Sequence, residues 1–427
     1  MSQYRGYNGK ALDFLKQNKI KVGDIIKITT DSEQTATIMP RYEHSDDFHI
    51  VVKFKSGYNV GLHLDKIKKI EFISDSVSSQ ESNNIIKHNP SLPKVLLLST
   101  GGTIASRIDY RTGSVTPALT AEELNASVPE LAEIANIDAE VLFSEYSENI
   151  TPEHWLKIAQ RLDSLVKSDY KGILVAHGTD TMQYTAAFLS FALAGFPKPI
   201  VLVGSQRSSD RPSSDAALNL IGATKFIVKS NTSGIFLAMH NSENDDDIAC
   251  HLGTRVRKNH TSKRNAFETV GASPAFVVSQ DTLIQNFAGP YFKQKDYTPK
   301  IGLDSRVALV KYHPGYDPKL FEYLLEQKYK AVIFEGTGLG HVGKSMYDVI
   351  KKAKQQNVFL GMTSQCLDGQ VNMAVYESGR DLMHFGVIPL SNMISEIALV
   401  KAMWALGTDG KNIEQIMLKN IASEFTE

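Results

Sequence analysis

Cysteine is almost missing from this chain of 427 residues, which contains only Cys250 and Cys366. Two thiols are too few for a disulfide framework or for a metal site with four thiolate ligands. Excess charge is missing as well, because 46 basic side chains are set against 47 acidic ones, a formal net charge of −1. The overall charge therefore gives no reason to expect tight binding to nucleic acid or to a membrane surface.

Long hydrophobic runs are lacking too. No apolar stretch approaches the roughly 20 residues that a helix needs to cross a bilayer, and the opening MSQYRGYNGK lacks the apolar segment of a secretion signal. The chain does contain 42% hydrophobic and 22% charged residues, which are ordinary proportions for a globular protein. We expect a cytoplasmic protein without membrane association and with more than one domain, because single cores seldom grow past about 250–300 residues.

A polar linker, residues 74–93, divides the chain, and Ser, Asn, Gln and Pro dominate it. Before the linker, Ala11, Leu12 and Leu15 have helical spacing, and several short β-rich runs follow them. This pattern predicts a small β-rich domain, a barrel or a sandwich, over residues 1–73. Nothing in it looks catalytic, so we expect it to serve for docking or spacing.

After the linker, uniformly apolar strand-like runs alternate with helical stretches. Strands of this kind are covered on both faces, which is typical of a parallel α/β sheet. We therefore predict an α/β domain that carries the active site over residues 94–290 and a smaller α/β lobe over residues 300–427, with a turn-rich connection between them. The predicted fold class is α/β, with two parallel-sheet lobes preceded by the small β-rich domain.

Three polar clusters follow predicted strands of the larger domain: STGGTIAS, HGTDTMQYT and VGSQRSSDRPSSD. In open α/β sheets, ligand sites form outside the carboxyl ends of the strands. The first cluster lacks the lysine of a P-loop and the third glycine of a dinucleotide fingerprint, which disfavours a phosphate cradle. A nucleophile fits better, because Gly101 and Gly102 let the backbone approach a ligand while Thr103 presents a hydroxyl oxygen.

A threonine hydroxyl needs a base that withdraws its proton. The second cluster offers Thr179 and Asp180, and the stretch RVRKNHTSKR offers Lys258. A neutral, partly buried lysine can act as a base beside an aspartate. Two structural alternatives stay open: Thr103 could cap a turn at a strand end, and Asp180 could be the N-cap of the next helix.

The motifs TGGTIA and HGTDT, in this order and both at predicted strand ends, resemble those of the type I/II asparaginase–glutaminase family. The resemblance extends over most of residues 94–420. It implies that Thr103 is the nucleophile, and that Thr179, Asp180 and Lys258 are the second threonine, the aspartate and the lysine of the family's site.

The same resemblance implies roles for residues around this group. Tyr110, in IDYRTGSVTP, falls where the family has a tyrosine on a mobile loop over the site. Ser147 and Glu148, in SEYSENITPEHW, fall where the family binds the α-amino and α-carboxylate groups of the substrate. Gly102 and Thr179 are expected to donate backbone N–H groups to the oxyanion.

The small N-terminal domain, together with GSQRSSDRPSSDAALNL, is similar to the branch of this family found in archaeal tRNA-dependent amidotransferases. That similarity implies a glutaminase that releases ammonia from glutamine or asparagine for a partner, the E subunit, which converts Glu-tRNA(Gln) to Gln-tRNA(Gln). It also implies a homodimer within a heterotetramer. No cofactor or metal is expected on this chain, and ATP and Mg²⁺ are expected at the partner subunit. A free-standing asparaginase/glutaminase and a catalytically silent binding module are the alternatives.

The stretch GTRVRKNHTSKRNAF around Lys258 is more basic than the corresponding loop of free asparaginases. Its charges either contact a partner protein or tRNA, or form an ordinary solvated face. His177 and His240 lie near predicted strand ends, and we predict that both are structural.

Overall fold

The structure of the chain is a computed structural model. The structure describes residues 4, 6–39, 41, 45–54, 59–74, 89–102, 106–109, 114–117, 124, 128, 130–207, 214–279, 282–286 and 297–426. Among the helices of these residues, none has the length and apolar character needed to cross a bilayer.

In its described residues, the N-terminal region contains one α-helix and a five-stranded antiparallel sheet, in agreement with the predicted helix and short strands. Its elements are α1 (Gly9–Gln17), β1 (Ile25–Thr29), β2 (Glu33–Ile38), β3 (His49–Phe54), β4 (Asn59–His63) and β5 (Lys69–Ser74). The strand order is β4-β3-β2-β1-β5. Ala11 and Leu15 of α1 pack into a core formed with alternate strand residues such as Ile26 and Ile28, because successive side chains of a strand point to opposite faces.

The next region carries most of the strands. They are β6 (Lys94–Gly101), β7 (Ser106–Asp109), β8 (Ser114–Pro117), β9 (Asn136–Glu145), β10 (Gly172–Ala176), β11 (Pro199–Val203), β12 (Gly234–His240), β13 (Asp247–Leu252), β14 (Val256–Lys258), β15 (Phe267–Thr269), β16 (Phe276–Ser279) and β17 (Thr282–Gln285). The helices are α2 (Leu131–Ile134), α3 (Pro152–Ser164), α4 (Met182–Ala192) and α5 (Ala216–Lys229). Thr151 and Pro152 begin α3 with a capping box and a first-turn proline.

Eight of these strands form one sheet in the order β17-β16-β13-β12-β11-β10-β6-β9. The run from β9 to β12 is parallel, as predicted, whereas β13, β16 and β17 join it in antiparallel pairs. The predicted parallel α/β sheet is therefore present, and an antiparallel edge that the sequence analysis did not identify extends it. Only residues 241–246 connect β12 to β13, and a parallel crossover needs a dozen residues or more.

The polar clusters come together because β6, β10 and β11 are neighbours in the parallel part of the sheet. Their carboxyl ends, at Gly101, Ala176 and Val203, share one edge. The chain passes from β6 to β9 on one side and returns to β10 on the other, so this edge is the topological switch point at which α/β sheets bind ligands.

The C-terminal lobe is a second α/β unit. Its elements are β18 (Val307–Lys311), α6 (Pro318–Glu326), β19 (Ala331–Gly336), α7 (Tyr347–Gln355), β20 (Phe359–Ser364), α8 (Glu377–His384), β21 (Val387–Pro389), α9 (Ser395–Asp409) and α10 (Ile413–Leu418). The four strands are parallel in the order β18-β19-β20-β21. Helix α9 packs against α4, where the rings of Phe191 and Trp404 stack at 5.7 Å, so a single hydrophobic core spans both α/β units.

Candidate active site

Two glycines at the end of β6 allow three chain segments to touch. Gly102 has φ +82°, and a Cβ atom there would lie 2.5 Å from the backbone nitrogen of Gly178. Gly101 has φ +113°, and its Cβ would collide with the backbone of Glu145. These conformations are open to glycine at little cost, and the close approach leaves no space for a side chain. The glycine pair in STGGTIAS is thus explained by contact between β6, β9 and the loop after β10.

Hydrogen bonds from hydroxyl side chains also join these segments. Thr100 Oγ1 donates to the carbonyl of Ala176 at 2.8 Å, and Thr181 Oγ1 donates to the carbonyl of Ser147 at 2.6 Å. A Cβ on Gly178 would lie 2.8 Å from the Cβ of Ser147. The loops after β6, β9 and β10 therefore form one packed surface at the switch point.

Lys258 reaches this surface from β14. Its Nζ donates to Thr179 Oγ1 at 2.8 Å and to Asp180 Oδ1 at 2.6 Å. The lysine side chain is 10% exposed and that of Asp180 is 65% exposed. The N-cap of α4 is Thr181, so the alternative that Asp180 caps this helix is wrong. A hydroxyl, a carboxylate and an amine in contact provide a route by which protons can move.

Gln183 holds the backbone of Lys258 and was not identified from the sequence. Its Oε1 accepts the backbone N–H of Lys258 at 2.6 Å, and its side chain is buried in the first turn of α4. The only signal in the sequence is its place in HGTDTMQYT, four residues after a strand-end threonine. Without the fold, no pattern pairs that position with Lys258.

His177 supports the loop from below. It is fully buried, its Nδ1 donates to the carbonyl of Gly178 at 2.7 Å, and its Nε2 accepts from Thr185 Oγ1 at 2.9 Å. Burial disfavours the charged ring and lowers the pKa of His177 from 6.5 to about 4. The prediction of a structural histidine agrees with this environment.

His240 is buried and belongs to a network beneath the third polar cluster, which agrees with the prediction of a structural histidine. Its Nδ1 lies 2.6 Å from Asn219 Oδ1, and Asn219 Nδ2 donates to buried Asp215 at 3.0 Å. Asp215 accepts the backbone N–H groups of Gln206 and Arg207 at 3.0 Å. Residues 208–213, the centre of that cluster, lie outside the described residues.

Three cations of the basic stretch around Lys258 have acidic partners within the chain. Lys263 pairs with Glu243 at 2.6 Å, and Arg264 pairs with Asp245. On the other side of Lys258, Arg257 Nε lies 2.9 Å from Glu396 Oε1 of α9. Opposite charges therefore meet these cations, which favours an ordinary paired surface over a nucleic-acid contact.

The structure brings together five of the eight residues predicted for the site: Gly102, Ser147, Thr179, Asp180 and Lys258. Glu148 follows Ser147 in a short 3₁₀ helix and is exposed. Thr103 and Tyr110 lie outside the described residues. The roles of all eight in catalysis and binding stay predictions.

Family models match three parts of the chain. "Asparaginase, N-terminal" matches residues 94–287, "Glutaminase/Asparaginase C-terminal domain" matches residues 306–417, and "GatD N-terminal domain" matches residues 20–73. Fold and site thus define the class of protein as asparaginase-like, with an added N-terminal domain.

Relatives that match nearly the whole chain are more specific. The D subunit of glutamyl-tRNA(Gln) amidotransferase from Methanopyrus kandleri is 44% identical and covers 98% of this chain and 94% of its own length. The D subunit of the same enzyme from Pyrococcus furiosus is 44% identical and covers 97% of both chains. The chain belongs to the family of these D subunits.

Solved asparaginases share the two α/β units. The thermostable L-asparaginase from Thermococcus kodakarensis is 32% identical with a TM-score of 0.71, covering 78% of this chain and 99% of its own. L-asparaginase I from Vibrio cholerae is 25% identical with a TM-score of 0.70, covering 79% and 100%. The predicted asparaginase-like fold is confirmed.

Proposed function

We propose that this chain is the glutaminase subunit of a tRNA-dependent amidotransferase, which hydrolyses the side-chain amide of glutamine and supplies the ammonia to a partner subunit. The partner converts Glu-tRNA(Gln) to Gln-tRNA(Gln). The observation that carries the proposal is the near full-length similarity to D subunits of this enzyme, N-terminal domain included. The contact of Lys258 with Thr179 and Asp180 supports amide hydrolysis as the chemistry.

In the first step, Thr103 Oγ attacks the carboxamide carbon while its proton passes to Lys258. Asp180 holds the lysine ammonium that results, and it is placed to do so at 2.6 Å. The backbone N–H groups of Gly102 and Thr179 bind the oxyanion, and each such donor contributes roughly 3–4 kcal/mol in comparable sites. The proton then moves to the leaving nitrogen, the C–N bond breaks, and ammonia and a threonine ester are formed.

In the second step, water attacks the ester carbon. The attacking water is held near Thr179, and its proton passes to Lys258. The ester C–O bond then breaks, Lys258 transfers the proton to the Thr103 oxygen, and glutamate leaves. Ser147 and Glu148 bind the α-amino and α-carboxylate groups of the substrate. Tyr110 is the tyrosine that the family resemblance assigns to this site.

Division of labour between subunits follows from this proposal. ATP and Mg²⁺ act at the partner E subunit, where glutamate on the tRNA is activated, and this chain needs no cofactor for amide hydrolysis. The active form is a homodimer of this chain within a heterotetramer. The domain boundaries at residues 73, 94, 290 and 300 are part of the same proposal.

A free-standing asparaginase is the second candidate, because the similar solved structures carry that name. The N-terminal domain counts against it, since the family model that matches residues 20–73 is that of GatD.

Hydrolysis of glutamine and asparagine by the purified chain separates the two candidates. We expect slow release of ammonia by the chain alone and strong stimulation when the E subunit, Glu-tRNA(Gln) and ATP are added. Thr103→Val is the matched control, and it removes the hydroxyl while keeping the shape of the side chain. Fast asparagine hydrolysis without a partner would favour the free-standing enzyme.

A further inference from the structure

We propose that Gln183 is a positioning residue for Lys258, fixing the backbone of the lysine to the helix end that carries its side-chain partners. The expected effect on kcat rests on the proposed amide hydrolysis. The expected effect on the position of the lysine amine does not depend on that proposal.

The strand that carries Lys258 needs an anchor. Strand β14 is three residues long and pairs with β15 in a two-stranded ribbon that lies outside the eight-stranded sheet. A short isolated ribbon has little stability of its own. On the edge that faces away from β15, the backbone N–H of Lys258 meets Gln183 Oε1 at 2.6 Å. This bond joins the ribbon to α4 at the residue whose side chain enters the site.

Gln183 and the partners of the lysine amine belong to the same segment. Thr179 and Asp180 end the loop before α4, and Gln183 lies in the first turn of that helix. Lys258 is thus held at both ends by one short segment, residues 179–183: its backbone by Gln183, and its Nζ by Thr179 and Asp180. A lysine has a flexible four-carbon stem, so fixing its Cα restricts where the amine can lie.

Strand β14 also makes an ion pair with the C-terminal lobe. Arg257 points to Glu396 of α9 in the C-terminal lobe, and its side chain is 29% exposed. This ion pair links the neighbouring residue to α9 and makes no contact with Lys258 itself. Gln183 is 5% exposed, and a buried amide that accepts a backbone N–H has a defined position.

The test uses two substitutions of Gln183 in the full chain with its partner subunit. Gln183→Met keeps the length of the side chain and removes the amide acceptor, whereas Gln183→Glu keeps an oxygen acceptor and adds a negative charge. Ser190→Ala is the matched control, because Ser190 is a buried polar residue of α4 that bonds to the carbonyl of Ala186. The readouts are kcat and KM for glutamine across pH, and the rate at which an acylating reagent modifies Lys258 relative to Lys263.

Gln183→Met is expected to lower kcat by about tenfold or more with KM little changed, because small misplacements of a reacting group are costly. Its Lys258 is expected to be acylated faster than in the wild type. Gln183→Glu keeps an acceptor for the backbone N–H of Lys258, so it is expected to retain more of kcat than Gln183→Met and to leave the acylation of Lys258 close to that of the wild type. Ser190→Ala is expected to match the wild type in both readouts.

Unchanged acylation of Lys258 in Gln183→Met would overturn the inference, as would a Gln183→Glu variant impaired as much as Gln183→Met at every pH. If the wild-type complex hydrolyses neither amide, the proposed function fails. The acylation rates of Lys258 still decide the positional claim in that case, because they need no substrate.

Discussion

At the residue scale, Lys258 combines burial with two polar contacts. Its side chain is 10% exposed, and its amine touches both Thr179 and Asp180. Lys263 lies in the connection that follows β14, but it pairs with Glu243 at the surface, where its side chain is 49% exposed. The two lysines therefore offer a direct comparison between a lysine of the proposed site and an ordinary surface lysine.

Lys258→Met should lower kcat for glutamine hydrolysis by about 10²–10⁴-fold, the usual contribution of a positioned acid or base. Steady-state kinetics of the complex measure this effect, and the thermal unfolding temperature shows whether the variant is folded. Lys263→Met should retain wild-type kinetics. Equal losses in the two variants would mean that the basic stretch acts through its overall charge.

The buried histidine below the site predicts a loss of stability in mild acid. The folded chain keeps His177 neutral until its pKa of about 4, whereas the unfolded chain binds a proton below the usual 6.5. The free energy of unfolding should therefore fall as the pH drops from 6.5 to 4, by about 3 kcal/mol for this residue. Urea unfolding at pH 7 and pH 5 should show a smaller acid loss in His177→Asn than in the wild type. Equal losses would contradict the assignment.

Sequence reasoning identified the residues that carry functional groups more readily than those that support them. Thr179, Asp180 and Lys258 were predicted together, and the structure brings them within hydrogen-bonding distance. Gln183 and Asp215 were missed as anchors of backbone N–H groups. Contacts of this kind join segments that are distant in the sequence. When the oxygen of a side-chain amide or carboxylate accepts a backbone N–H from such a segment, no sequence motif marks the contact.

At the scale of elements, close approach between loops shapes the site. The loop after β6 touches the loop after β10 at Gly102 and Gly178, and the loop after β11 touches it at Gly204, where a Cβ would lie 2.9 Å from Thr179 Cγ2. Two features of Gly102 disfavour a larger residue: its positive φ, and the lack of space for a Cβ atom. A comparison with Gly315 separates them. Gly315 has nearly the same φ, +81°, but no atom lies within 4 Å of a Cβ placed there.

Gly102→Ala should destabilise the protein more than Gly315→Ala and should strongly reduce glutamine hydrolysis. Both variants bear the cost of a left-handed alanine, about 1–2 kcal/mol, but only Gly102→Ala must also push the loop of Gly178 away. Thermal unfolding and kcat of both variants measure the difference. A similar change in both would show that the loops do not need this contact.

The antiparallel edge of the large sheet marks the limit of prediction at this scale. The apolar runs of β10, β11 and β12 identified buried parallel strands correctly. Strand β13 is buried to a similar degree, so its hydrophobic pattern does not reveal its direction. The short connection, residues 241–246, fixes the direction of β13 as antiparallel to β12. Its length can be used in this way only when the boundaries of both strands are known.

At the scale of the whole molecule, the C-terminal segment ties the two α/β units together. Lys401 of α9 pairs with Glu424 at 2.5 Å, and neither side chain is exposed. Glu424 also accepts the backbone N–H of Ala422, whose carbonyl accepts from Thr254 Oγ1 at 2.7 Å. Thr254 lies just before β14, so the end of the chain packs against the base of the strand that carries Lys258.

Lys401→Met should destabilise the protein by about 3–5 kcal/mol, because it leaves a buried carboxylate without its partner. The double variant Lys401→Met with Glu424→Gln should recover part of this loss, since no unpaired charge remains. Urea unfolding at pH 7 measures both. A single variant as stable as the wild type would contradict a structural role for the pair.

The most direct test of the central claim is covalent capture with a diazo ketone analogue of glutamine, followed by mass spectrometry of the labelled peptide. The account predicts one adduct on this chain, at Thr103, and no adduct in Thr103→Val, which should also lose glutaminase activity. An adduct on another residue, or glutamine hydrolysis retained by Thr103→Val, would contradict it.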